Sequence, residues 1–171
     1  MLALKRPSLS LEFGRKTYVM GIINVTPDSF SDGGLFADTQ TAIAHGARLM
    51  EDGADILDIG GESTRPGAAP VSEDEELARV IPVIETLVNE YGAAVSIDTS
   101  KSRVAETALK AGAVMINDVT ALKGDPRMAD VVVAAKAYVI LMHMRGTPQT
   151  MQEAPQYMDV VAEVVQELQA S

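Results

Sequence analysis

The 171 residues carry a formal net charge of −10 and no cysteine. This excludes disulfides, thiolate zinc sites and a cysteine nucleophile, and argues against a nucleic-acid backbone as partner, which needs clustered lysine and arginine. With 47% hydrophobic and 22% charged residues, the composition is that of a globular domain able to bury one core.

The first apolar run, Gly21-Ile22-Ile23, reads as a strand buried on both faces. It breaks at Asn24 into a loop in which Thr26-Pro27-Asp28-Ser29 is a turn signal and Gly33-Gly34 gives freedom. Ile43, Ala47 and Met50 recur at helical spacing and stop at Gly53, a C-terminal cap. The second run, DILDI (55–59), breaks into the long polar loop GGESTRPGAAP. Ser72 with Glu75 then forms a capping box ahead of an apolar stripe of Leu77, Val80, Ile81, Ile84, Leu87 and Val88. Pro82 is expected to bend or restart this helix near Val80 to Pro82.

The third run, AAVSI, ends at Asp98-Thr99-Ser100-Lys101, and Val104, Ala105, Ala108 and Leu109 mark a helix before Gly112. The fourth, AVMI, ends at Asn117-Asp118-Val119-Thr120, after which Asp125-Pro126 opens a helix as N-cap and first helical residue. The fifth, AYVILM, ends at His143-Met144-Arg145-Gly146-Thr147, and Met158, Val161, Val165 and Leu168 give a last helix. No apolar run approaches a membrane span, and Met1 to Ser10 lacks a signal-peptide core, so the expected location is cytoplasmic.

Strand and helix thus alternate five times, the pattern of a parallel α/β protein in one domain spanning 1–171. Right-handed crossovers bring all strand tips to one face. A doubly wound open sheet gives the same alternation, but polar groups at each of five successive tips favour a TIM-type barrel over a sheet with one ligand-binding switch point.

GIINVTPDSFSDGG (21–34) and ADILDIGGESTRPG (54–67) resemble the two signature segments of dihydropteroate synthases, and SIDTSK, MINDVTAL and LMHMRGTP follow in that family's order. The resemblance implies a (β/α)8 barrel that uses Mg²⁺ to join 6-hydroxymethyl-7,8-dihydropterin pyrophosphate to 4-aminobenzoate in folate biosynthesis, giving 7,8-dihydropteroate and pyrophosphate. A full barrel has eight strands in about 250 residues, so only the first five βα units are expected here. The absent units carry the family's later pterin-binding aspartate, its lysine, its terminal arginine and histidine, and most dimer contacts. The isolated chain is therefore expected to be inactive and open to self-association. Two alternatives stand beside this reading. One is a non-catalytic fragment or pterin-binding subunit completed by a second chain. The other is a different pterin-dependent barrel transferase, such as a methyltetrahydrofolate methyltransferase, which would lack the first loop and the STRPG segment.

By the same resemblance Asn24 is the Mg²⁺ ligand, although an asparagine at a strand tip also suits a turn. Thr64 contacts the pyrophosphate, and Arg65 and Pro66, with Phe30 of the first loop, lie near the phosphate and aminobenzoate positions. The guanidinium of Arg65 offers a planar fork for an anion. Asp98 and Asn117 bind the pterin, their donor and acceptor capacity suiting a heterocycle, while the other role open to Asp98 is an N-cap. Arg65 and Asp98 are the catalytic candidates. Met142 and Val119 either wall the pterin plane or belong to the core. Asp58, inside its strand, is read as buried orienting support. Asp28 and Asp32 are left as turn residues, His45 as surface, and His143 as no general base. Lys101 either screens an anion or faces solvent.

Overall fold

The computed structural model describes residues 9–12, 14–26, 34–63, 70–147, 150–152 and 154–171. Each apolar run becomes a strand: β1 (Met20–Asn24), β2 (Ile56–Gly60), β3 (Val95–Asp98), β4 (Met115–Asp118) and β5 (Tyr138–Leu141). They alternate with α1 (Gly34–Glu51), α2 (Glu73–Tyr91), α3 (Ser102–Ala111), α4 (Met128–Ala135) and α5 (Val160–Gln169). The sheet order is β1-β2-β3-β4-β5, with every pairing parallel. A doubly wound sheet must reverse its order at a switch point. This one never does, which decides for the barrel-type winding.

Side chains alternate between sheet faces along a strand. On one face Ile23, Leu57, Ile59, Val95, Ile97 and Ile116 are buried against Val80, Val83, Ile84 and Leu87 of α2 and Val104 and Ala108 of α3. Each such side chain contributes roughly 1.5–3 kcal/mol by leaving water. The other face carries the polar residues and is the interior of the winding. β1 differs from its expected burial on both faces: Ile23 is fully buried, whereas Ile22, pointing to the interior, is 62% exposed because no described residue covers it there.

Helix α2 also differs from expectation, since it runs unbroken through Pro82. Pro82 and Ala78, whose carbonyl loses its partner, both lie on the exposed side, where water can take up the freed group. The capping box is half made: Ser72 Oγ accepts from the Glu75 N–H at 3.3 Å, but the Glu75 carboxylate turns to Arg79. The fourth helix starts at Met128, later than Asp125-Pro126 suggests. Asp125 Oδ1 accepts from the Arg127 N–H in the preceding turn, while its Oδ2 caps α3 through the Ser102 N–H, both at 2.9 Å. In α5, Met158 precedes the helix, and Val161 and Val165 are exposed. Nothing among the described residues packs over that stripe, because the sheet ends at β5. No described helix is long and apolar enough to cross a membrane.

Candidate active site

The strand ends set the site. Asn24, Gly60, Asp98, Asn117 and Ile140 are successive register partners from β1 to β5. Strands stand about 4.8 Å apart, so three expected ligand-binding side chains share one level on the interior face. Two residues deeper, on the same face, run Ile22, Asp58, Ser96, Met115 and Tyr138. Gly60 leaves a gap in the upper row, where a Cβ would stand 3.4 Å from Asp98 Oδ2.

Asp98 is not an N-cap. The cap position of α3 is Lys101, whose N–H is accepted by Thr99 Oγ1 at 3.2 Å, and Asp125 supplies the side-chain cap. Burial, together with the charges of Asp58, Glu76, Asp118 and Glu62, pushes the Asp98 carboxyl up to about 7. Near neutral pH it therefore exchanges between an acceptor-only carboxylate and an acid that can donate.

Asp58 is buried as expected. Its Oδ2 accepts from Asn117 Nδ2 at 2.9 Å, and its Oδ1 has no partner among the described residues. Lys101 neither screens an anion nor faces bulk water. It lies 2.5 Å from Glu76 Oε2 and also binds Glu62. One turn along α2, the buried Arg79 donates to the Gly61 carbonyl at 2.7 Å. Two α2 residues thus hold the end of β2 in place. Glu62, Glu76 and Arg79 were not among the expected site residues. The signal was faint: Glu76 lies four residues before Val80, on the buried side of the helix.

A sequence profile of the family described as "Pterin binding enzyme" matches residues 20–171. The chain belongs to the pterin-binding enzyme family. It is similar to the dihydropteroate synthase of Synechocystis sp., with 50% identity over 155 residues, 91% of this chain and 54% of that protein. Among solved structures it resembles Xanthomonas albilineans dihydropteroate synthase with 4-aminobenzoic acid, at 54% identity and a TM-score of 0.81, covering 91% of this chain and 55% of that one. The same enzyme in complex with 7,8-dihydropteroate matches at 48% identity and a TM-score of 0.75, covering 99% and 55%. The chain spans about half the length of the curated relatives it matches.

In this chain, Thr64, Arg65, Pro66 and Phe30 lie outside the described residues, as do Asp28 and Asp32. Met142 is half-buried and lines a cavity of 290 Å³ with Thr120, His143 and Glu167, beyond the end of β5. Val119 is half-buried in the turn after β4, and His45 is exposed. His143 Nε2 lies 2.9 Å from Glu167, which occupies it as a structural pair. Among the described residues no three His, Cys, Asp or Glu side chains gather as a metal site. The exposed amide oxygen of Asn24 is a hard donor, and one protein oxygen supplemented by phosphate and water is a normal set for Mg²⁺.

Proposed function

We propose that this chain carries the pterin-facing part of a dihydropteroate synthase active site, which joins 6-hydroxymethyl-7,8-dihydropterin pyrophosphate to 4-aminobenzoate with release of pyrophosphate. The observation that carries the reading is the single row of Asn24, Asp98 and Asn117 over Asp58 at the C-terminal strand ends. The names of its relatives supply the reaction, and the TPDSFSDGG and STRPG loops favour it over a methyltetrahydrofolate methyltransferase.

An arylamine is nucleophilic when neutral, so the amine needs no strong base. The demanding event is departure of pyrophosphate from the pterin methylene. Asp98 and Asn117 bind and orient the ring, and an ionised Asp98 favours the positive charge that develops on it as the leaving group departs. Thr64 and Arg65 would receive the anion, where losing one preorganised donor typically costs about 3 kcal/mol of transition-state stabilisation. Mg²⁺ held through Asn24, when bound, supplies charge neutralisation for the leaving pyrophosphate. Catalysis is then positional and electrostatic.

The enzyme is placed in the cytoplasm, with small-molecule substrates and no nucleic-acid or membrane partner. The second reading is a part of the barrel that is inactive until a second chain closes it. The exposed Ile22 beside β1 and Val161 and Val165 beyond β5 favour it. Pyrophosphate release by the 171-residue chain, with and without 4-aminobenzoate and Mg²⁺, tests both. Release dependent on both substrates supports the synthase reading for the chain alone. No release, but binding of a pterin that Asp98→Ala abolishes, supports the incomplete-barrel reading. Neither release nor pterin binding refutes both.

A further inference from the structure

We propose that Asp58 is a positioning residue whose carboxylate, from the level beneath the ligand row, fixes the rotation of the Asn117 amide and so the face that Asn117 shows to a bound pterin ring. The inference rests on the pterin-site reading above and adds what holds that site in register.

Three observations lead to it. Asp58 is 4% exposed on the inner strand β2, where an apolar residue would pack without penalty. Its Oδ2 is 2.9 Å from Asn117 Nδ2, although the two residues are 59 positions apart and on strands separated by β3. Its Oδ1 and the Oγ of its register partner Ser96 are both buried without a partner among the described residues. Buried polar atoms are rarely left so, and both stand on the interior face, Ser96 beneath Asp98 on β3 and Asp58 beneath Gly60 on β2.

The physical argument concerns the amide flip. A carboxamide has a donor prong and an acceptor prong of nearly identical shape. A carboxylate only accepts, so an ionised Asp58 admits the nitrogen prong and repels the oxygen prong. The Asn117 oxygen is thereby turned away from Asp58, and the ring is read by an amide in one orientation instead of two. Asp58 also faces Asp98, alongside Glu62 from the end of β2, Glu76 from α2 and Asp118 from β4, with Lys101 as the cation holding Glu62 and Glu76. Removing its charge must therefore move the protonation of Asp98 as well as the amide.

The test is equilibrium binding of 7,8-dihydropterin to the 171-residue chain across pH 5–9, by fluorescence, for wild type, Asp58→Ala, Asp58→Asn and Asn117→Ala. Asp58→Ala is expected to bind at least tenfold more weakly. Asp58→Asn keeps the volume but offers a donor as well as an acceptor, which opens both orientations of the Asn117 amide. It is expected to bind several-fold more weakly than wild type, a loss in a folded, isosteric variant that a merely structural role would not produce. Its pH midpoint falls because a charge facing Asp98 is gone. Folding of each variant is checked by circular dichroism. Binding by a folded Asp58→Ala within twofold of wild type overturns the proposal. Should Asp58→Ala fail to fold, wild-type affinity in a folded Asp58→Asn overturns it instead. If Asn117→Ala binds as wild type does, or wild type does not bind, the pterin-site reading fails and the proposal with it. Loss in Asn117→Ala with no effect in either Asp58 variant sinks the proposal alone.

Discussion

Lys101 Nζ lies 2.5 Å from Glu76 Oε2, so the start of the α3 region is tied to a carboxylate of α2 that is only 1% exposed. The same ammonium binds Glu62 beyond β2, and the second oxygen of Glu76 has no partner. Breaking a buried pair from one side leaves an uncompensated charge, at a cost of roughly 3–5 kcal/mol, whereas replacing both partners with apolar groups is often neutral. Lys101→Met is expected to lose that much stability in urea unfolding, and Lys101→Met with Glu76→Leu to regain most of it. A double variant as unstable as the single one would mean that the pair is not the origin of the loss.

The pH dependence of the same pair has a definite sign. Burial lowers the Lys101 pKa, but the hydrogen bonds and charges of Glu62 and Glu76 outweigh it, and the net shift is upward. A lysine raised above its unfolded value of about 10.4 contributes stability that is fully present below that pH and is lost as pH rises through the folded pKa. Wild type should therefore destabilise at strongly alkaline pH more steeply than the double variant.

Asp98 acts in the same direction at lower pH, because its folded carboxyl sits at about 7 while the unfolded one sits near 3.9. Between those values the unfolded state gives up the proton that the folded state keeps, so stability falls as pH rises from about 4 to 7. The shift corresponds to a penalty of up to roughly 4 kcal/mol above pH 7. Asp98→Asn is expected to be more stable than wild type by a few kcal/mol at pH 7.5 and indistinguishable at pH 4, while binding pterin less well. Equal stabilities at both pH values would show that Asp98 ionises normally.

The fold and the alignment of the polar strand ends were legible because both rest on local pattern. Asn24, Asp98 and Asn117 each end an apolar run, and parallel pairing of such runs in sequence order aligns their ends. Glu76 was not legible. It sits in an acidic first turn, Glu73 to Glu76, where a carboxylate reads as a solvated partner of the helix dipole, and only the tertiary position of Lys101 shows otherwise. Asp125 misled for a related reason. Asp-Pro signals a helix start, but its side chain serves another helix 23 residues upstream, a long-range capping bond that no local signal distinguishes.

Neighbouring glycines after β2 should respond differently to the same substitution. A Cβ on Gly61 would meet Val80 Cγ1 at 2.8 Å and the Glu76 carbonyl oxygen at 3.3 Å, between β2 and a packed helix. Gly61→Ala is expected to cost about 1–3 kcal/mol, as overpacking does. The atoms nearest to a Cβ on Gly60, among the described residues, are those of Asp98, at ordinary contact distance. Gly60→Ala should keep stability within about 1 kcal/mol yet weaken pterin binding by crowding Asp98. Urea unfolding and pterin titration on both variants separate the two roles, and a Gly60→Ala chain with wild-type affinity would place the ligand away from Asp98.

The turn after β4 holds two consecutive non-glycine residues at positive φ, Ala121 at 52° and Leu122 at 65°. Each costs roughly 1–2 kcal/mol. Asp118 offsets this, since its Oδ1 accepts from the Thr120 N–H and hydroxyl at 2.8 Å and its Oδ2 from the Leu122 N–H at 2.9 Å. Asp118→Ala removes all three bonds and leaves part-buried donors behind, an expected loss of about 1–3 kcal/mol. Ala121→Gly relieves strain at one position and adds unfolded-state entropy, so instead of the usual loss it is expected to be neutral or stabilising by up to about 1 kcal/mol. The two effects are coupled through one turn. Glycine at 121 should therefore recover more stability in the Asp118→Ala background than in wild type, and additive changes in thermal unfolding would show that Asp118 does not hold the turn in its left-handed form.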